Sequence, residues 1–407
     1  MIQRSADCDT LPVLTAELSP RVGTIRPRID PHETFQQTKT FSALNGLRCV
    51  CALGVLKAHC EWVNPTLRFL NHGYLGVDVF FVISGFLIVT LLLREKERFG
   101  DIHLGKFFAR RALRIFPIYY AMIFVVLLAF LAVAPWKPSG FRFYLPISAV
   151  LMTYTTDIIS LPALGLFFHC WSLAMEEQFY LVWPAIEKFL STAVKWGLLG
   201  LGLVLSQLVN FGVFGDLIDR VYGRSGARLM PMYMVTFTPI ILGVVLAHLL
   251  HHRRSFSVLY RLLGHRWSCL VVLAAIVAIA QNLGHYYQGF TRGTLQLLFM
   301  LGLAAVVIRE DHWLRRILSF PLFVRIGSIS YGIYLYHVVV LDLLTKGSHN
   351  ALSPPVTFLI LTPLTLGVAE LSYRYFEHRF LSLRRKFEPR GAESSLPGRI
   401  GEPALRT

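Results

Sequence analysis

Two residues near the start of the apolar sequence invite a chemical reading. Arg48 and His59 stand in LNGLRCVCALGVLKAH, residues 44–59. The stretch is apolar enough to enter a bilayer, where charged or titratable side chains are costly and mark a functional site by default. At about 100° per residue their spacing is close to three helical turns. Both therefore leave one face, roughly 16 Å apart along the axis. A guanidinium binds anions, and an imidazole takes a proton from a hydroxyl near neutral pH. The pattern points to a buried reaction path with His59 as a candidate proton acceptor; the plainer alternative is an interfacial histidine at a helix end.

Further groups extend that set. Asp78, in GYLGVDVFFVISG from residue 73, is expected at the depth of His59. A carboxylate on one ring nitrogen would fix the tautomer and raise the basicity of the other. The plainer alternative is a carboxylate favoured by the helix dipole. Ser84 and Gly85 read as small residues that let helices approach. Arg111 and Arg114 are three apart and can grip a phosphate or diphosphate together, although each alone also fits ordinary charge anchoring.

The richest stretch is HCWSLAMEEQFYLVWP, residues 169–184, with Trp171, Ser172, Glu176 and Glu177. Ser172 suits a helix N-cap, and it also stands four residues before Glu176. Two adjacent carboxylates opening a span are poor anchors, so one is expected to face a cavity and the other the interface. Tyr331, Tyr334 and His337 recur every third residue in GSISYGIYLYH and form a polar ridge. Glu370, alone in the last apolar run, needs a partner that spacing does not name. Candidate catalytic residues are thus His59, Arg48, Asp78 and Glu176. Arg111 and Arg114 are candidates for binding a phosphate-bearing ligand, and Trp171, Ser172, Glu177, Tyr331 and His337 for binding substrate. No metal site is expected.

The elements that must hold these residues are membrane helices. Of 407 residues 54% are hydrophobic and 16% charged, and the mean hydropathy is +0.54. A soluble chain of this length needs more charge to cover its surface. The net charge of +16 sits in short loops between apolar runs. That is the positive-inside pattern rather than a nucleic-acid footprint. The six cysteines, at 8, 49, 51, 60, 170 and 269, lack metal-type spacing. They are expected as small span residues, with a Cys60–Cys170 disulfide the less favoured option.

The fold expected is all-α, a polytopic membrane protein of about ten transmembrane helices. The spans run at about 43–63, 73–93, 115–134, 170–190, 196–214, 229–250, 268–283, 293–308, 326–345 and 354–376. Residues 145–166, with Pro146, Asp157 and Pro162, are expected to be re-entrant or interfacial. Counting them as a span would turn the basic loops at His251–Arg254 and Arg315–Arg316 outward. Residues 1–40 and 381–407 are expected as disordered cytoplasmic tails around a membrane domain at 41–380. Both termini then lie in the cytoplasm.

Several ordered motifs resemble the acyltransferase type 3 family of integral membrane O-acyltransferases. They are LNGLRCVCALGVLKAH, GVDVFFVISGFLI, FFARRALRIFPIYY, WSLAMEEQFYLVWP, SYGIYLYH and LSYRYFEHRF, covering about 41–380. The resemblance implies transfer of an acyl group, usually acetyl, from cytoplasmic acyl-CoA to a hydroxyl of a sugar or glycoconjugate. The acyl-CoA, acetyl-CoA first, would be a co-substrate, with no cofactor bound permanently. The family's arginine–histidine pair falls on Arg48 and His59, its donor-binding basic motif on Arg111 and Arg114, and its tryptophan–glutamate motif on Trp171 to Tyr180. Departures stand at Asn45 and Cys49, where the family has aspartate and glycine, and at Glu377-His378-Arg379, where it has Glu-x-Pro. The expected setting is a bacterial inner membrane, with membrane lipid around the chain, and no oligomeric state follows. The rival readings are a transporter for a small anion or lipid-linked sugar and a non-catalytic membrane scaffold.

Overall fold

The computed structural model describes residues 30–38, 40–133, 150–156, 166–217, 220, 237–284 and 288–388. Most of the expected re-entrant segment, the first 29 residues and the chain beyond 388 lie outside them. Every regular element among the described residues is helical.

A short helix, α1 (Pro31–Gln37), precedes α2 (Ser42–His59), α3 (Leu75–Phe99) and α4 (Leu104–Val133). Next come α5 (Cys170–Phe189), α6 (Thr192–Asn210), α7 (Thr238–His251), α8 (Arg253–Leu263), α9 (Ser268–Gln281) and α10 (Phe290–Ile308). The chain closes with α11 (Pro321–Ser328), α12 (Ser330–Gly347), α13 (Pro354–Ser372) and a π-turn at Tyr373–Glu377. Each of the ten apolar runs is represented by a helix, but a count of about ten spans is not confirmed. Among the described residues five helices are long and apolar enough to cross a membrane, and up to eight if bent pairs count as one. Helix α5 carries Glu176, Glu177, Glu187 and Lys188, and α7 has only 14 residues. These two therefore owe their place to packing against neighbours rather than to their own hydropathy. Large apolar side chains such as Phe124, Val125, Leu201, Val204 and Leu359 are exposed, as lipid contact requires. The protein is an integral membrane protein.

Two expectations at the edges change. Within the expected tail, residues 31–37 fold as a helix. Asp30 caps its start, accepting from His32 N at 2.9 Å. Arg94 donates to the Phe35 and Thr38 carbonyls at 2.7 Å each. The span bounds expected at 93 and 115 also move, because the polar stretch from Arg94 to Arg114 is largely helical. Helix α3 runs through it to Phe99 and stops at Gly100, whose φ of 74° suits glycine. Helix α4 resumes at Leu104. Arg111 and Arg114 are therefore already helical when α4 enters its apolar part. Cys49, Cys51, Cys60, Cys170 and Cys269 are buried and free, so Cys60 and Cys170 are not bridged.

The centre of the bundle is α3, which is buried nearly all round. It meets α7 where Gly85 and Gly243 face each other. A methyl at Gly85 would collide with the Ile240 carbonyl, and one at Gly243 with the Val82 carbonyl. Helix α2 lies against α3, α11 and α12. This leaves the Arg48–His59 face between α3, α5 and α12.

Candidate functional site

Helix α3 presents two stripes with different tasks. Val77, Phe81 and Ser84 recur at i, i+4 and i+7 and look toward α5. Asp78, Val82 and Gly85 recur at the same spacing, one position on, and look toward α7 and α10. Asp78 accordingly does not orient His59. It is buried among α3 and α10, accepting from Gln296 Nε2 at 3.5 Å and feeling the charge of Arg292. The expectation failed because equal depth does not put two side chains on facing surfaces; one residue along a helix turns a side chain by about 100°.

Glu176 takes the place Asp78 was expected to hold at the reaction path, at its other end. Its carboxylate accepts from Ser84 Oγ at 2.7 Å and from Tyr180 OH at 3.1 Å. Arg48 from α2 and Arg111 from α4 stand within electrostatic reach. The Arg111 guanidinium lies over the Tyr180 ring, 4.6 Å from its centre. Ser84 therefore does more than allow close packing, and Tyr180 does more than fill a belt. Both were open to sequence reading only as small and aromatic span residues.

Arg48, Ser172, Glu176, Tyr331 and Tyr334 line one cavity of about 410 Å³, walled by Val77, Phe80, Phe81, Leu173 and Ser330. Arg48 Nε and Tyr331 OH are buried without a hydrogen-bond partner. Buried donors left open in this way call for a partner. Ser172 is not the N-cap of α5, which begins at Cys170 after His169. Its hydroxyl lies inside the first turn, 2.6 Å from Tyr334 OH, which donates to the His169 carbonyl at 3.0 Å. Trp171 stands behind the wall, with its ring 6.0 Å from that of Phe81. Glu177 does not face an outer interface. It is half-buried, within reach of the Arg111 charge and of Tyr119, Tyr154 and Tyr331.

Beyond Tyr334 the polar track reaches three histidines. The His337 ring lies 4.7 Å from that of His59 and 5.1 Å from that of His169. His59 Nδ1–H donates to the Val55 carbonyl at 2.9 Å, and His337 Nδ1–H to the Tyr334 carbonyl at 2.6 Å. With Nδ1 protonated, Nε2 of each ring carries the lone pair. Neither Asp78 nor Glu176 bonds His59; its own helix holds the ring. His169 was quoted in a motif and Tyr334 in the ridge, but neither stood among the candidates. Tyr334 had the three-residue register with His337 as its signal, whereas packing alone brings His169, at the start of α5, beside them. Lys57, on the α2 stretch itself, ties down the next loop through the Trp62 carbonyl and Asn71 Oδ1.

Arg114 lies one turn along α4 from Arg111. It feels the charges of Arg48, Arg111 and, from the segment after the π-turn, Arg384. Glu370 is partnered by Arg325, through Nε and Nη2 at 3.0 and 2.8 Å, and by Arg374. It is thus a structural knot away from the cavity.

A helical membrane bundle with a buried arginine-to-histidine track defines the class. The family described as "Acyltransferase domain" matches residues 41–374, and the chain belongs to this acyltransferase type 3 family. A protein of Staphylococcus aureus (strain COL) is 29% identical over 374 residues, covering 85% of this chain and 58% of its own. The Listeria monocytogenes "Peptidoglycan O-acetyltransferase OatA" is 28% identical over 362 residues, 84% of this chain and 56% of that one. The Staphylococcus aureus (strain NCTC 8325) "O-acetyltransferase OatA" is 27% identical over 368 residues, 85% and 58%. The chain thus spans less than three fifths of these relatives' length. No solved structure matches it.

Proposed function

We propose that this chain is a membrane O-acetyltransferase, moving an acetyl group from cytoplasmic acyl-CoA to a hydroxyl of a sugar or glycoconjugate. The observation that carries this reading is a cavity lined by Arg48, Glu176 and Tyr334, with the Arg111 charge within reach of Glu176 and the His337 and His59 rings following Tyr334. Arg111 and Arg114 would hold the donor's phosphates, and Arg48 Nε–H would donate to an oxygen of the donor's arm. The roughly 16 Å along α2 from Arg48 to His59 would be the length that arm bridges.

At the far end His59 Nε2 takes the proton of the acceptor hydroxyl as its oxygen attacks the thioester carbonyl. The carbon–sulfur bond breaks, the ester forms, and the thiolate leaves to be protonated as free CoA. His337 Nε2, buried and unpartnered beside His59, can relay that proton. Glu176, gripped by Ser84 and Tyr180, holds the Arg48 end in shape. This sets the protein in a bacterial inner membrane, both termini cytoplasmic, with Arg48 toward the donor side and His59 toward the acceptor side. The basic loops at His251–Arg254 and Arg315–Arg316 support that direction. The name of the Listeria relative makes a cell-wall glycan the first acceptor to try.

The test is turnover by purified protein in lipid nanodiscs, with acetyl-CoA and a glycan acceptor, read as CoA release and ester mass. His59→Ala is expected to lose about 10²–10⁴-fold in turnover. Undiminished turnover would overturn the base assignment, and no transfer from acetyl-CoA by the wild type would overturn the donor.

A further inference from the structure

Several arginines elsewhere in this protein are ion-paired. Arg110 meets Glu95 at 3.0 Å, Arg266 and Arg309 share Asp311, and Arg325 and Arg374 share Glu370. Arg111, Arg114 and Arg384 break that pattern. Among the described residues none of the three has an ion pair within 4 Å, yet they are close enough to repel one another. Glu177 and Glu377 share the neighbourhood without reaching ion-pair distance, and Glu377 accepts from Ser372 instead.

Arg384 reaches this place through backbone geometry. The π-turn at Tyr373–Glu377 interrupts the end of the last long helix, a local irregularity that commonly re-aims a chain at a functional site. The chain then runs along the start of α4, where Arg110 Nη1 donates to the Phe387 carbonyl at 2.8 Å. That bond fixes the Arg384–Phe387 turn beside the Arg110–Arg114 stretch. Arg384 is half-buried there, while its neighbours Arg385 and Lys386 are exposed. Gathering half-buried cations costs solvation and repulsion, and a polyanion bound among them restores both.

We propose that Arg384, carried by the segment after the last span, completes with Arg111 and Arg114 a three-guanidinium seat for the phosphates of the acyl donor. The inference rests on the acyl-CoA reading and adds a residue from the opposite end of the chain to it. It also gives the basic stretch Arg384-Arg385-Lys386 two tasks, Arg384 for the ligand and the other two for the membrane surface.

The experiment uses the full-length protein in nanodiscs and two donors, acetyl-CoA and the acetyl thioester of N-acetylcysteamine, which has no phosphate. Binding of CoA by calorimetry is the second readout. Arg384→Gln is expected to raise the KM for acetyl-CoA and the Kd for CoA about tenfold or more, with the phosphate-free donor unaffected and kcat nearly unchanged. Arg384→Lys should recover part of the loss, and Arg385→Gln, at an exposed neighbour, should leave both the KM and the Kd unchanged. If the wild type binds CoA and Arg384→Gln binds it equally well, the inference falls while the donor assignment stands. If the wild type neither binds CoA nor uses acetyl-CoA, both fall. Equal loss with both donors would mark Arg384 as structural and overturn the seat.

Discussion

Two groups of arginines in this protein obey opposite rules. Around Glu370 and around Asp311 each guanidinium finds a carboxylate within 4 Å. Around the cavity Arg48, Arg111, Arg114 and Arg384 gather without such a pair among the described residues. The first arrangement is complete in itself: charge is balanced, hydrogen bonds are made, and two elements are tied together. In the proposed reading the second is completed by the phosphates of the donor. In the knots the carboxylates bond the guanidiniums directly, whereas at the cavity Glu176 accepts from Ser84 and Tyr180 and leaves the guanidiniums without an ion pair.

That contrast can be broken by mutation, and the largest effect is expected at the far end of the track. His59→Ala should cut acetyl transfer by about 10²–10⁴-fold with the melting temperature in nanodiscs unchanged; a matching loss of melting temperature would mean that the track is itself structural. Arg114→Gln comes next. Its KM for acetyl-CoA should rise at least tenfold, because a charge-assisted bond of about 1.5–3 kcal/mol is lost. The ligand-free protein should melt at the same or a higher temperature, since repulsion from Arg48, Arg111 and Arg384 is relieved.

Glu370→Gln should behave in the reverse sense. It leaves Arg325 and Arg374 facing each other and should cost about 1–2 kcal/mol of stability, seen as a lower melting temperature with the KM for acetyl-CoA unmoved. A raised KM there would erase the distinction between the two groups. The smallest effect is expected at Asp311, in the loop between α10 and α11. A hydrogen bond from the Arg309 guanidinium, and then Arg266, hold its carboxyl well below the usual carboxylate range. A lowered folded-state pKa means stability present above the unfolded value near 4 and lost as pH falls through the folded value. Asp311 is about half exposed, at 46%, so water screens much of this. Asp311→Asn should cost no more than about 1 kcal/mol at neutral pH, and the gap to the wild type should close as the pH is lowered below 4.

Reading side chains by type worked where a residue's cost was independent of its surroundings. An arginine, a histidine and a glutamate inside apolar runs are expensive wherever the runs pack, and Arg48, His59, Glu176 and His337 all lie along the track. It failed where direction mattered. Asp78 was placed at the right height on the wrong face, because the stripe through Val82 and Gly85 packs on α7 and turns the carboxylate toward Gln296. Ser84, on the other stripe, was read as packing and instead holds Glu176. Tyr180 was read only as an aromatic of its motif and Tyr334 only as part of a polar ridge; packing brought their hydroxyls to Glu176 and Ser172.

The sequence by itself determined that this chain is a helical membrane protein, which family it resembles, and that Arg48 and His59 share one face of α2. These follow from hydropathy, from ordered motifs and from a helical period that no neighbour can alter. Only the tertiary structure decided which carboxylate shares the cavity with Arg48, that three histidines meet beside it, that Glu370 belongs to Arg325, and that Arg384 comes back to α4. Each of these joins residues far apart in the chain, and such contacts are set by how helix faces rotate and pack against one another, a property of the whole bundle that no local pattern encodes.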